Sequence, residues 1–79
     1  MTVDELKTAF ATEKPVVWNG SKYKCVSAII WRKDKEGKRI LRAELMDMNR
    51  NSVVVVDPYW VRYLNETEIA NKTIYVGKD

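Results

Sequence analysis

Residues 23–48 read YKCVSAIIWRKDKEGKRILRAELMDM, and this stretch decides the fold. Apolar and polar residues alternate on both sides of a short polar segment that ends in Gly37. Such alternation is typical of β-strands, and a glycine-containing segment between two alternating runs predicts a hairpin. We therefore expect two long strands, at about residues 23–33 and 39–48, joined by a turn at residues 34–37.

The hydrophobic pattern also predicts the register of this hairpin. A four-residue loop places Lys33 opposite Lys38. One face of the hairpin is then wholly apolar and carries Val26, Ala28, Ile30, Leu41, Ala43 and Leu45. A slip of one residue would exchange the two faces, so a buried apolar face favours this register. The opposite face, with Trp31 and Ile40, is half apolar. We expect the helix side chains Leu6 and Phe10 to cover it, and a docking surface is the alternative.

Shorter elements flank the hairpin. Thr2 followed three residues later by Glu5 is a capping-box pattern, which predicts a helix at about residues 3–12. Asn19 and Gly20 favour a tight turn after a short strand at about residues 16–18, since both residue types adopt positive φ. Two further strands are expected at about residues 52–56 and 72–76, separated by one helical turn after Pro58.

Five short strands with one N-terminal helix predict a single mainly β (α+β) domain, residues 1–79, folded as a small antiparallel barrel. The run Val53-Val54-Val55-Val56-Asp57-Pro58-Tyr59-Trp60-Val61 resembles the end of SH3-like barrels, where a helical turn carrying an aromatic precedes the closing strand. The acidic ligand loop of true SH3 domains is missing, so proline-rich peptide binding is not implied. Residues 23–57 also resemble short uncharacterised proteins of phages and mobile elements of Gram-positive bacteria, which implies no known site.

The composition restricts the chemistry. The chain has no His and one Cys. The absence of His removes the commonest general base and metal ligand, and Cys25, in mid-strand among apolar neighbours, is expected to be inert. Glu44 and Asp47 point to opposite faces of one strand, so they form no catalytic carboxylate pair. We expect no enzyme activity, no catalytic residue, no metal and no cofactor.

The location follows from what the sequence lacks. A lone Cys forms no disulfide within the chain. The first residues do not have the basic and apolar regions of a signal peptide, and no run approaches the roughly 20 apolar residues of a membrane span. We expect a cytoplasmic protein that does not enter a membrane, as a monomer or a homodimer.

The net charge of +3 is concentrated in the hairpin. Residues 22–50 carry nine basic and four acidic side chains, a balance of +5, whereas each flanking segment sums to −1. A local excess of this kind attracts phosphates or an acidic protein surface, although charges at a hairpin tip also simply prevent edge pairing.

Aromatic side chains are the second kind of candidate contact. Trp31 can stack on a base, and exposed Tyr and Trp are typical of interfaces, although each ring singly is more often part of a core. The candidate contact residues are Trp31, Arg32, Lys33, Lys35, Lys38, Arg39, Arg42, Tyr59 and Trp60.

These observations predict a non-catalytic binding module. The first hypothesis is a phage or mobile-element accessory protein that binds or inhibits a host protein through the basic hairpin and the aromatic residues. The alternative is direct binding of DNA or RNA through the same hairpin. Phosphate binding weakens steeply with salt, whereas an interface centred on aromatic side chains does not, so salt dependence separates the two hypotheses.

Overall fold

The computed structural model describes residues 1–65. In chain order they form α1 (Val3–Thr12), β1 (Val16–Trp18), β2 (Ser21–Tyr23), β3 (Cys25–Lys33), β4 (Arg39–Met46), β5 (Val53–Val56), a 3-10 turn (Pro58–Trp60) and β6 (Arg62–Tyr63). The strands make two three-stranded antiparallel sheets, ordered β2-β1-β6 and β3-β4-β5. Residues 1–65 are thus mainly β with one helix, as predicted. The expected strand at residues 72–76 lies outside the described residues.

The predicted SH3-like barrel is wrong, because the two sheets are not closed into a barrel. Among residues 1–65, β5 pairs with β4 alone and β6 pairs with β1 alone, so the ladder does not run around a closed cylinder. The strand expected at residues 23–33 is instead divided between the sheets. Its break falls at Lys24, whose backbone N–H donates to the carbonyl of Met46 at 2.8 Å. Closure depends on pairing between strands distant in sequence, which local alternation does not specify.

The tip of the main hairpin has a different register from the prediction. Lys33 lies opposite Arg39 and not opposite Lys38. The carboxylate of Asp34 accepts hydrogen bonds from the backbone N–H groups of Glu36 and Lys38, each at 2.9 Å. The backbone N–H of Asp34 also donates to the Lys38 carbonyl at 2.9 Å. These bonds pair residue 34 with residue 38 and leave a three-residue loop, which shifts the register of the strands by one.

A β-bulge changes the register again nearer the centre of the sheet. The pairing shifts between Val26 and Ala28, which leaves Ser27 as the extra residue, while Val26 still lies opposite Leu45 as predicted. The face of this sheet that packs into the core, here called the core-side face, therefore carries Val26, Ile29, Trp31, Leu41, Ala43, Leu45, Val54 and Val56. The prediction that Ala28 and Ile30 share that face is wrong: they lie on the opposite, outer face.

The N-terminal helix begins at a complete capping box. The Thr2 hydroxyl accepts a hydrogen bond from the Glu5 backbone N–H at 3.2 Å, and the Glu5 carboxylate accepts one from the Thr2 backbone N–H at 2.8 Å. The Thr2 backbone N–H, followed by its side chain, lowers the pKa of Glu5 below its ordinary value. The helix occupies the predicted residues because this signal is local to its first turn.

The helix covers the core-side face. Leu6 and Ala9 are completely buried, whereas Phe10 is 48% exposed. Their partners in the buried cluster are Val16, Val26, Ala43, Leu45, Val56 and Val61. The prediction that Leu6 and Phe10 cover the half-apolar opposite face is therefore wrong. On the outer face, Val53 is 51% exposed and Val55 is 41% exposed.

The strand β4 ends two residues earlier than predicted because Asp47 begins the next turn. Its carboxylate accepts hydrogen bonds from the Asn51 backbone N–H at 2.9 Å and from the Ser52 hydroxyl at 3.0 Å. The Asn51 bond is the largest of the effects that lower the pKa of Asp47 below its ordinary value. A side chain that accepts a hydrogen bond from the backbone four residues ahead stabilises a turn, so the strand does not continue.

Candidate functional site

Residues 31–42 form a two-stranded arm, here called the basic ribbon. The third strand, β5, pairs with Ala43 to Met46 and extends no further along β4. Beyond that point the hairpin consists of β3, β4 and the loop between them. The ribbon carries six basic side chains and two acidic ones, a balance of +4 in a chain of net charge +3. The positive charge of the protein is therefore concentrated on this arm.

The cations lie on both faces of the ribbon and on its tip. Residues directly opposite each other in a ladder point to the same face. Lys33 and Arg39 are therefore on the core-side face, together with the pair Trp31 and Leu41. On the outer face, Arg32 lies opposite Ile40, and Arg42 lies opposite Ile30. The loop adds Lys35 and Lys38, both exposed.

Arg42 differs from the other five cations. It is half-buried, and its guanidinium donates to the Leu41 carbonyl at 3.0 Å. The remaining five are exposed. The structure records no ion pair between any of the six and another residue in the range 1–65. The ribbon is thus available to an external anion chiefly through Arg32, Lys33, Lys35, Lys38 and Arg39.

Two like charges face each other where the strands of the ribbon end. Lys33 and Arg39 are directly opposite in the ladder. Like charges at opposed positions destabilise a pair of strands. Asp34 is the nearest acid in sequence, but its carboxylate is engaged with the loop backbone. A local feature that opposes folding is typical of a functional site.

Trp31 adds an aromatic surface to the ribbon. Its side chain is 56% exposed. It lines a shallow concavity of about 380 Å³ with Arg32, Lys33 and Arg39. Within the described part of the chain the structure records no ring–ring or cation–π contact for this indole. Trp31, which the sequence offers as a ring able to stack on a base, thus has an exposed indole.

Tyr59 and Trp60 form a second exposed surface. Tyr59 is 74% exposed and Trp60 is 67% exposed, so neither ring is part of the core. Their rings meet edge to face with centroids 4.7 Å apart. Trp60 also lines a concavity of about 390 Å³ with Trp18 and Asn19. We call Trp18, Tyr59 and Trp60 the aromatic cluster. The concavity beside Trp31 and the concavity beside Trp60 share no lining residue.

The aromatic cluster stands on an anchored turn. The Asp57 carboxylate accepts a hydrogen bond from the Tyr59 backbone N–H at 3.0 Å. The Val61 N–H donates to the Pro58 carbonyl at 3.0 Å. The N-terminal ammonium of Met1 donates to the carbonyls of Pro58 and Val61, at 2.6 and 3.1 Å. Both ends of the 3-10 turn are therefore held, and its two exposed rings project from a fixed backbone.

The described residues show no site for a metal. No group of three or more His, Cys, Asp or Glu side chains in residues 1–65 is arranged to hold an ion. Cys25 is buried, with 6% of its surface exposed. In the same part of the chain, no helix has the length and apolar character needed to cross a bilayer.

The opposed pair of Lys33 and Arg39 was missed because the loop was taken to have four residues. The signal that identifies the pair is Asp34 followed three residues later by Gly37. Asp at the first and Gly at the fourth position favour a type I turn. When that Gly is left-handed, the turn makes a three-residue hairpin loop. Gly37 has φ 83°, which is that left-handed conformation.

Comparison of the chain with protein-family models, curated proteins and solved structures gives no match. The resemblance to short phage and mobile-element proteins therefore stays a prediction. The function has to be argued from the two surfaces themselves.

Proposed function

We propose that this protein is a non-catalytic nucleic-acid-binding module whose contact element is the basic ribbon. The observation that carries the proposal is the placement of cations on both faces and on the tip of a two-stranded arm. A flat protein surface would meet one face of such an arm. Nucleic acid instead presents phosphates on several sides of an inserted element, and the major groove of a duplex, about 12 Å wide, admits a two-stranded β-ribbon. This geometry favours nucleic acid over the protein partner that ranks first from sequence alone.

The opposed pair of Lys33 and Arg39 supports the same proposal. Its two cations repel each other in the free protein, and no described carboxylate pairs with them. A phosphate between or beside them would remove that repulsion, so part of the binding free energy comes from relief of an unfavourable contact. Contacts to phosphates carry no sequence information, and we therefore propose binding with little sequence preference. We place this activity in the cytoplasm, in a protein that acts as a monomer or a homodimer.

The test of the proposal is a titration of labelled oligonucleotides at several salt concentrations. If each of the five exposed ribbon cations neutralises one phosphate, the log–log slope of affinity against salt is about −4.5 for a duplex and about −3.5 for a single strand. We expect measurable binding at low ionic strength and a steep loss towards about 0.15 M salt. Absence of binding at low salt, to both single strands and duplexes, would overturn the proposal.

A second candidate function is binding of a host protein through the aromatic cluster. The exposure of Tyr59 and Trp60 on a fixed turn favours it, because exposed Trp and Tyr dominate protein–protein hot spots. We expect the double variant Tyr59→Ser and Trp60→Ser to keep its fold and its oligonucleotide affinity but to lose a protein captured by the wild type from bacterial lysate. Capture that persists in this double variant would contradict the second function. A ribbon variant such as Lys33→Glu with Arg39→Glu is the matched control and should retain the captured protein.

A further inference from the structure

We infer that the concavity beside Trp31 is a nucleotide subsite for single-stranded nucleic acid, in which an unpaired base stacks on the indole ring. This inference rests on the proposed function and specifies the class of nucleic acid. Three observations lead to it: the exposure of Trp31, the absence of a recorded ring partner for it within residues 1–65, and the cations around it.

The surroundings of Trp31 provide both parts of a nucleotide contact. Leu41 lies directly opposite Trp31, and Arg39 is the diagonal neighbour on the same face. Lys33 is two residues further along the same strand and so points to that face as well. The indole thus supplies a flat apolar surface, and two cations lie towards the tip beside it. A base can stack on the ring while its flanking phosphates contact Lys33 and Arg39.

The ring distinguishes an unpaired base from a duplex. In a duplex the faces of the bases are covered by their neighbours, and the grooves expose base edges and phosphates. The flat face of an indole gains little from a base edge. In single-strand binders, by contrast, aromatic side chains stack on successive bases with little sequence preference, beside a positively charged track for the backbone. Trp31 with Arg32, Lys33 and Arg39 has this composition.

The experiment compares Trp31→Leu with Trp31→Phe. The probes are a labelled oligothymidylate of about 20 nucleotides, longer than the roughly 4–16 nucleotides that one small binding fold covers, and a duplex of the same length. We expect Trp31→Leu to weaken binding of the single strand by roughly tenfold to hundredfold. Trp31→Phe keeps an aromatic face and should recover most of the affinity. Binding of the duplex should change by less than about twofold, since phosphate contacts dominate it.

The control variant is Phe10→Leu, which removes an exposed aromatic ring from α1, outside the basic ribbon and the aromatic cluster. It should leave both affinities unchanged, and circular dichroism of each variant checks that the fold is retained. Unchanged single-strand binding by Trp31→Leu would overturn the subsite while leaving the proposed function in place, as would an equal loss on single strand and duplex. If the wild type binds neither probe at low salt, the proposed function fails and the subsite fails with it.

Discussion

Replacement of Lys33 and Arg39 together by glutamate is expected to lower the affinity for nucleic acid by roughly 100-fold at low salt. Each cation that neutralises a phosphate contributes about a factor of ten under these conditions, because it releases a condensed counterion. The variant loses two such contacts and adds two negative charges to the face of the ribbon that carries Trp31. The log–log salt slope should become shallower by about two units at the same time.

The matched control changes the same net charge away from the ribbon. Lys14 and Lys22 are both exposed and lie outside residues 31–42. Lys14→Glu with Lys22→Glu brings the net charge from +3 to −1, as the ribbon variant does, since each substitution changes it by −2. We expect the control to lose much less affinity than the ribbon variant, because neither lysine lies on the arm that contacts the phosphates. Equal losses in the two variants would show that overall charge, and not the ribbon, governs binding.

The single variant Lys33→Glu separates stability from binding. It turns the like-charged pair with Arg39 into an opposite-charged pair directly across the ladder. Opposed unlike charges stabilise a strand pair, here by about 0.5 kcal/mol since both side chains are exposed. We therefore expect the free energy of unfolding to rise slightly while the affinity for nucleic acid falls. The double variant has two glutamates opposite each other, so it should bind weakly without the gain in stability.

The part of this fold that could be predicted from sequence is the part set by neighbouring residues. Thr2 and Glu5 determine the start of the helix through hydrogen bonds three residues apart. Asn19 and Gly20 have φ 51° and 75° in the turn between β1 and β2, as their residue types indicate. Each of these signals acts within one turn of the chain.

The errors in the hairpin came from two one-residue effects. The Asp34 carboxylate shortened the loop by one residue, and the bulge at Ser27 restored the predicted pairing of Val26 with Leu45. Between these points the side chains of β3 were assigned to the wrong face, because the side-chain period of a strand is two. On β4, Leu41, Ala43 and Leu45 lie on the predicted face. The polar residue Ser27 within an apolar run is a possible bulge signal. Its hydroxyl donates to the Glu44 carboxylate at 2.7 Å, a cross-strand contact that the sequence does not show.

The candidate site was predicted in its composition but not in its arrangement. The six cations and Trp31 lie on one arm because they are close in sequence. The pairing of Lys33 with Arg39 can be predicted only when the register of the hairpin is known. The same holds for the position of Trp31 on the core-side face, beside both cations. The 3-10 turn that carries Tyr59 and Trp60 is held by hydrogen bonds from the Met1 ammonium. That contact joins residues more than fifty positions apart, beyond the reach of local patterns.

Replacement of Leu45 by alanine is expected to leave the protein largely unfolded at room temperature. Leu45 is completely buried and lies opposite Val26 on β3 and Val54 on β5. Truncation of a buried Leu to Ala removes about 2–5 kcal/mol, through lost burial and the cavity left behind. A core of this size rarely supplies more than about 3–5 kcal/mol of net stability. The substitution therefore removes most of the free energy of unfolding, and urea denaturation followed by circular dichroism measures it.

The control for this variant is Val55→Ala on the neighbouring strand, which removes an apolar side chain from the outer face. Val55 is 41% exposed and lies opposite Glu44. Its truncation should lower the free energy of unfolding by less than about 1 kcal/mol, in the range of exposed substitutions. Similar losses in both variants would contradict the assignment of the core to the side of the sheet that faces α1.

Because β4 continues from the core into the ribbon, Leu45→Ala should also abolish nucleic-acid binding, but through unfolding. The Lys33 and Arg39 variant should lose binding while its circular dichroism and urea midpoint stay those of the folded protein.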